Sequence, residues 1–311
     1  MNRDADNNSS IVHCTRSPAE PSRHMYFFCN VPHLLKTTRN NLENSGYHKK
    51  TRHLHLKGQD IWTQLLSLYE WDVGLERTSP GLRCLHKLTY EHLHLTPALR
   101  MQVYMAVQVL STSVANAMKA HGKHDTRSAE MFISYFDKFF DCLNVSNPHD
   151  GAFKRKPALE PYRSSDDWRF EWLQKDFVGF LKEWQQELAS NPHLDPKTRS
   201  NMCLSRETLE GINITVNSFL KLAQLLLQSP GVDYLLSEKF NQDPLEMHFS
   251  KHRGAGGCSD NPTVEQVGYN MFSFYVASKC LKASRKANVR PVDTGKPVLD
   301  STQLPKRPKH K

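Results

Sequence analysis

The sequence lacks a long apolar run: every stretch that approaches the ~20 residues needed to span a bilayer is broken by Lys, Asn or Gln. This argues against an integral membrane protein. Residues 1–25 lack an apolar core, with Arg3, Asp4, Asp6, Asn7 and Asn8 before any hydrophobic cluster, so no secretory signal is read and the chain is expected inside the cell. No C-x-x-C pair occurs, and seven cysteines leave one over. Neither a zinc ribbon nor a disulfide framework is indicated, and reduced, mostly buried thiols are expected. Histidine is plentiful, yet His53 with His55 and His92 with His94 stand at i, i+2 without Cys or Glu in metalloprotease spacing, and read as packed or solvated.

Apolar residues make up 38% of a 311-residue chain, enough for one or two domains but low for a chain folded throughout. Polar ends around a folded middle are expected. From Lys282 onward nine Lys and Arg face only Asp293 and Asp300, a net +7 of the chain's +9. With four prolines and few large apolar residues, 282–311 reads as a disordered basic tail. It suits nuclear import or phosphate contact, and equally a solubilising extension.

Residues 1–23 read as a flexible polar leader and His24–Cys29 as a short buried strand. Asn30 and Pro32 then open a helix with Leu34, Leu35, Thr38 and Leu42 on one face. Asp60 caps a second helix that Gly74 closes. Thr96-Pro97 opens a third that the 3.6-residue pattern carries to Gly122. A fourth spans Ala129–Leu143, a fifth Asp167–Leu188, and Ser205 starts a sixth that runs to Pro230. A short helix at Asp233–Glu238, an amphipathic helix after Asn241, a Gly-rich loop over Arg253–Gly257 and a last helix at Val264–Leu281 complete the reading.

Several strings carry a family resemblance. They are Asn30-Val-Pro-His-Leu-Leu-Lys-Thr-Thr-Arg-Asn40, Ser111-Thr-Ser-Val-Ala115, Phe139-Phe-Asp-Cys-Leu-Asn144, Asn241-Gln-Asp-Pro-Leu-Glu246 through Arg253, and Asp260-Asn-Pro-Thr263. In this order and spacing the chain resembles P-element transposases and the related THAP-domain transposase-like proteins. The resemblance implies a mostly α fold in which a helical GTP-binding insertion domain interrupts a partial RNase H-like α/β fold. On it, 24–56 is a nuclease segment, 57–235 the insertion domain and 236–281 the closing nuclease helices.

Nuclease chemistry in such a family needs two Mg²⁺ ions held by carboxylates, one to activate water and one to stabilise the leaving oxygen. The resemblance implies Asp, Asp and Glu. Glu246 corresponds to the Glu, as catalytic and metal-binding residue; Asn30 stands where the second Asp belongs; the leader offers no apolar strand for the first. Loss of two charges argues against metal binding and catalysis. Asn30 reads also as a helix N-cap, and Glu246 as an exposed first-turn acid.

Nucleotide recognition in the family uses no Walker loop, and His121-Gly-Lys-His124 lacks the phosphate-cradling glycines. By motif position Asp243 resembles the guanine-contacting acid, and Phe140 and Asp141 the stacking aromatic and its adjacent acid. Asp137 stands where the family has Asn. Lys87 and Val103 are placed by spacing as phosphate-contacting and base-packing residues. Phe140 reads equally as core, since Phe132, Phe136 and Phe140 recur every four residues.

The expected function is a truncated, catalytically inactive transposase derivative, nuclear, that retains GTP binding and association with transposon-end DNA or with full-length transposase. No C-x₂₋₄-C string for a THAP zinc module occurs. The alternatives are a non-enzymatic repressor, or a fragment of an active transposase whose first Asp and THAP module lie upstream.

Overall fold

The computed structural model describes residues 12–46, 51–74, 83–121, 126–255 and 261–280, in two units that part after Gln242. In the first, β1 (Cys14–Arg16) pairs antiparallel with β2 (His24–Tyr26), Cys14 facing Tyr26. The expected strand is thus shorter than His24–Cys29 and not buried, with Met25 39% and Phe27 42% exposed. Its partner comes from the supposed leader. Backbone bonds hold this ribbon, Ser17 N–H to Arg23 O at 2.8 Å and Phe27 N–H to His13 O at 3.0 Å, so no apolar alternation announces it.

Helix α1 (Val31–Glu43) starts as its sequence predicts. Asn30 is extended at the cap position, its carbonyl accepts from Leu34 N–H at 3.0 Å, and Pro32 lies in the first turn, where a missing N–H costs nothing. A tight ribbon follows, β3 (His55–Leu56) and β4 (Gln59–Asp60), turned by Lys57 and Gly58 at φ 51° and 73°, the positive pair that a two-residue hairpin demands. Asp60 then caps α2 (Ile61–Val73) by accepting from Thr63 N–H at 3.1 Å.

The third helix read from the sequence is broken. After α3 (Tyr90–Leu93) come α4 (Pro97–Arg100), α5 (Val103–Val109) and α6 (Thr112–His121). Arg39 on α1 causes the first break: buried at 1% exposure, its Nη2 lies 3.4, 3.2 and 3.4 Å from the carbonyls of Leu99, Arg100 and Gln102. Those carbonyls end α4 on a cation instead of continuing the helix. Ser111 marks the second break, its Oγ accepting from Val114 N–H at 3.4 Å.

Next come α7 (Arg127–Leu143), α8 (Asp150–Lys154), a 3₁₀ turn at Pro157–Leu159, α9 (Trp168–Glu171), a π turn at Trp172–Phe177, α10 (Val178–Ala189), α11 (Pro196–Asn201) and α12 (Arg206–Leu227). The core gathers on α7, where Phe132, Ile133, Phe136 and Phe139 are wholly buried. Phe139 stacks on Phe177 at 4.5 Å between ring centres, and Phe132 meets Trp184 edge-on at 5.9 Å. Helix α1 packs on α2, α5, α7 and α12, inside this same core.

Past α12 the short helix expected at Asp233–Glu238 is absent. Leu235 instead exchanges backbone hydrogen bonds with Tyr162, and a 3₁₀ turn spans Ser237–Phe240. Ser237 fixes it, donating to Cys142 O and accepting from Val145 N–H, both at 2.9 Å. The second unit holds α13 (Asp243–Ala255) and α14 (Val264–Cys280), joined where Asn270 Nδ2 donates to His252 O at 3.2 Å. Helix α13 runs through Arg253 and Gly254, which had been read as loop. One glycine in a last turn costs only about 1 kcal/mol. Among the described residues the strands form two two-stranded ribbons, and no helix is long and apolar enough to cross a membrane. The basic tail lies outside the described residues.

Candidate functional site

Helix α7 carries adjacent aromatics with different fates. Phe139 is wholly buried, whereas Phe140 is half-buried at the rim of the core. The apolar stripe is therefore Phe132, Phe136 and Phe139, and Phe140 falls beside it, not on it as the four-residue spacing suggested. A helix turns 100° per residue, so a stripe that begins at i, i+4 passes to i+7 before i+8.

Next to Phe140 the structure gathers two predicted acids on one cation. Lys156 Nζ lies 2.9 Å from Asp137 Oδ2 and 2.7 Å from Asp141 Oδ2. Thr112, the first residue of α6, donates its hydroxyl to Asp137 Oδ2. Both carboxylates are largely out of water, at 12% and 13% side-chain exposure. Burial, then the neighbouring Asp137, pushes the Asp141 carboxyl up to about 6, although Lys156 and Lys154 oppose the shift. For Lys156, burial disfavours the charge, but the two acids outweigh it and hold the ammonium above its ordinary pKa.

The backbone after α8 aims Lys156 at this point. Arg155 is left-handed at φ 54°, which reverses the chain, and Lys156 N–H bonds to Gly151 O at 2.9 Å. Glu160 closes over Gly151 so tightly that a Cβ there would stand 2.9 Å from its backbone nitrogen. On α7, Lys138 Nζ sits 4.6 Å and 4.3 Å from the ring centres of Trp168 and Trp172, a cation clasped by two indoles.

Sequence reasoning missed Lys156 and Thr112. A signal existed: Asp137 and Asp141 are like charges at i, i+4, a pair that repels unless a cation serves both, and Lys154-Arg155-Lys156 supplies cations nearby. Of the other predicted residues, Lys87 is exposed on the turn before α3, and Val103 is half-buried at the start of α5. Neither is joined by a hydrogen bond or ion pair to the acid pair. Asn30, 5% exposed, occupies the cap position of α1, but its side chain makes no capping hydrogen bond. Asp243 and Glu246 lie in the first turn of α13 in the second unit, Asp243 half-buried and Glu246 exposed.

The donors do not fit a Mg²⁺ pair. Among the described residues no group of three or more His, Cys, Asp or Glu side chains is arranged to hold a metal ion, and the Asp137–Asp141 carboxylates are already bridged by an ammonium.

This helical unit has known counterparts. Residues 32–156 match the family described as TNP-like, GTP-binding insertion domain, and residues 238–266 match TNP-like, RNase H C-terminal domain. The Transposable element P transposase of Drosophila melanogaster is 22% identical over 277 residues, which is 88% of this chain and 33% of that protein. The Drosophila P element transposase strand transfer complex has the same fold, with a TM-score of 0.64 at 20% identity over 86% of this chain and 55% of that one. The chain is thus similar to P-element-type transposases in sequence and fold, and its residues 32–156 match the model of their GTP-binding insertion domain. It spans about a third of the length of the curated relative it matches. Thr112, Asp137, Phe140, Asp141 and Lys156 all fall within the matched insertion-domain segment.

Proposed function

We propose that this chain is a GTP-binding transposase derivative that does not itself cut DNA and that acts by associating with transposon-end DNA or with transposase subunits. The observation that carries the reading is the coincidence of the insertion-domain match with a half-buried aromatic ring beside two acids held by one lysine. An aromatic face stacks on a purine, and carboxylates accept from guanine N1–H and N2–H₂, where adenine presents an acceptor at N1. Phe140 and Asp141 are assigned to the nucleotide on this basis; Asp243 is assigned to guanine recognition by its motif position alone. Lys87 and Val103 remain assigned by spacing alone.

The reading of inactivity rests on Asn30, a neutral amide at the position of a family Asp. At the two motif positions that this sequence spans, Glu246 supplies one charge and Asn30 none, against the four of two Mg²⁺ ions. A repressor reading is favoured by α14, which exposes Tyr269, Phe272 and Tyr275 at 68%, 70% and 63%, more aromatic surface than a helix that meets only water would carry. Nuclear accumulation is assigned to the basic tail.

The test is calorimetric titration of the full chain with GTP, GDP and ATP, beside a cleavage assay on terminal-repeat DNA with Mg²⁺ or Mn²⁺. Guanine nucleotides should bind in preference to ATP and no cleavage should occur. Equal binding of ATP, or no heat with GTP at millimolar concentration, overturns the nucleotide assignment; metal-dependent nicking abolished by Glu246→Gln overturns the inactivity.

A further inference from the structure

We infer that Lys156 is the positioning residue of the nucleotide site: it holds the Asp137–Asp141 pair together in its charged form and thereby sets the pH range over which the site accepts GTP. This rests on the assignment of Asp141 to the nucleotide.

Without a cation, two carboxylates one helical turn apart at 12% and 13% exposure ionise together only at a higher pH. Among the described residues Lys156 is the one group bonded to both, at 2.9 and 2.7 Å. The other charged or polar groups facing the pair are accounted for. Lys154 acts on Asp141 at longer range while bonded to Asp150 at 2.9 Å, and Thr112 donates to Asp137 but carries no charge. The placement of Lys156 is built into the backbone by the left-handed Arg155 and the tight turn over Gly151.

Ionisation decides what Asp141 can do for a ligand. A carboxylate accepts two N–H or O–H donors of the nucleotide, whereas a protonated carboxyl presents a donor to a donor. Even with Lys156 in place Asp141 titrates near 6, so the margin at neutral pH is small. Loss of the lysine therefore raises the pH needed for binding, and it also removes a positive charge beside an anionic ligand. The two effects separate by pH: the first fades as pH rises, and the second persists.

The experiment compares the full-length protein with Lys156→Met and Lys156→Arg, using GTP titrations from pH 5 to 9. In parallel, ¹³C carboxyl NMR without nucleotide follows Asp141, assigned by its absence in Asp141→Asn. Wild type should lose affinity below about pH 6 as the competent fraction falls, and Lys156→Met should move both midpoints up by about one unit or more. That shift corresponds to roughly tenfold weaker GTP binding at pH 5 and fivefold at pH 6, with the difference narrowing toward pH 9. Lys156→Arg should restore the wild-type midpoint. Should Lys156→Met not fold, Lys156→Gln, which keeps a donor without charge, takes its place. An Asp141 midpoint unmoved by loss of the lysine, or an affinity loss equal at every pH, overturns the inference. If wild type binds GTP at no pH, the nucleotide assignment fails by itself, and the NMR titration still decides whether Lys156 governs Asp141.

Discussion

Arg169 and the Asp137–Asp141 pair are both charged clusters set in the helical unit, and they solve the burial of charge in opposite ways. Arg169 is a single cation with a surplus of acceptors. Its guanidinium bonds Asp167 through Nε at 2.8 Å and Nη2 at 2.6 Å, and reaches the carbonyls of Ala158 at 3.1 Å, Pro161 at 3.2 Å and Glu160. It also lies 3.5 Å from the centre of the Tyr162 ring. Burial works against its charge, yet Asp167 more than compensates and its pKa is raised. The acid pair is the reverse, two anions sharing one cation, with Asp141 driven up to about 6. Arg169 cross-links a structure, whereas a carboxyl that stays raised although a lysine bonds it is a perturbation of the kind that clusters at functional sites.

The largest effect expected from this contrast is at Arg169. Arg169→Met strands Asp167, the buried carbonyls of Ala158 and Pro161 and the part-buried carbonyl of Glu160, and should cost about 3–5 kcal/mol, read from the denaturant midpoint. Lys156→Met, a third exposed at the outset, should cost far less. A loss at Lys156 equal to that at Arg169 would erase the distinction.

The neighbouring aromatics sharpen the comparison. Phe139→Ala should cost about 3–5 kcal/mol, read from the denaturant midpoint. Phe140→Ala should cost clearly less and weaken all nucleotides together, with circular dichroism unchanged. If both destabilise equally, Phe140 is core.

Asp243→Ala should lower the preference for GTP over ATP by roughly 1.5–3 kcal/mol, the worth of hydrogen bonds to a charged group, without changing the melting temperature. Calorimetry with both nucleotides measures it. An unchanged preference removes Asp243 from the site.

The last effect is on stability against pH. The folded-state carboxyl of Asp141 is raised from 3.8 to about 6, so the folded protein holds this proton more tightly than the unfolded chain does. Its favourable contribution is complete below about pH 4 and is lost as pH rises through 6. Asp141→Asn should flatten stability between those values and be at least as stable as wild type at pH 7. Thermal melts from pH 3 to 8 test this, and a wild type whose stability rises from Asp141 over that range would contradict it.

How much was legible in advance follows from the range of the interactions. The starts of α1, α2 and α12 were readable because Pro32, Asp60 and Ser205 act within one turn of their own position. The continuous helix from Thr96 was not to be had, because the residue that ends its first segment is Arg39, some sixty positions earlier. The β1 strand was hidden because its bonds are backbone bonds. Motif position singled out Phe140, Asp137 and Asp141 as candidates, while Lys156, which bonds both acids, was not legible that way.

The sequence by itself determined the helical character of the chain, most of its helix caps, and the resemblance that names its relatives, since periodicity, capping and motif order are local properties carried along one strand of chain. Only the tertiary structure decided which side of α7 is core, that Phe139 and not Phe140 completes the buried stripe, and that Lys156 folds back from beyond α8 to hold two acids apart from their own repulsion. The physical reason is that burial and charge balance are set by what arrives from elsewhere in the chain. A carboxylate has its ordinary acidity in any list of residues, and acquires another only when a fold removes its water and chooses its neighbours.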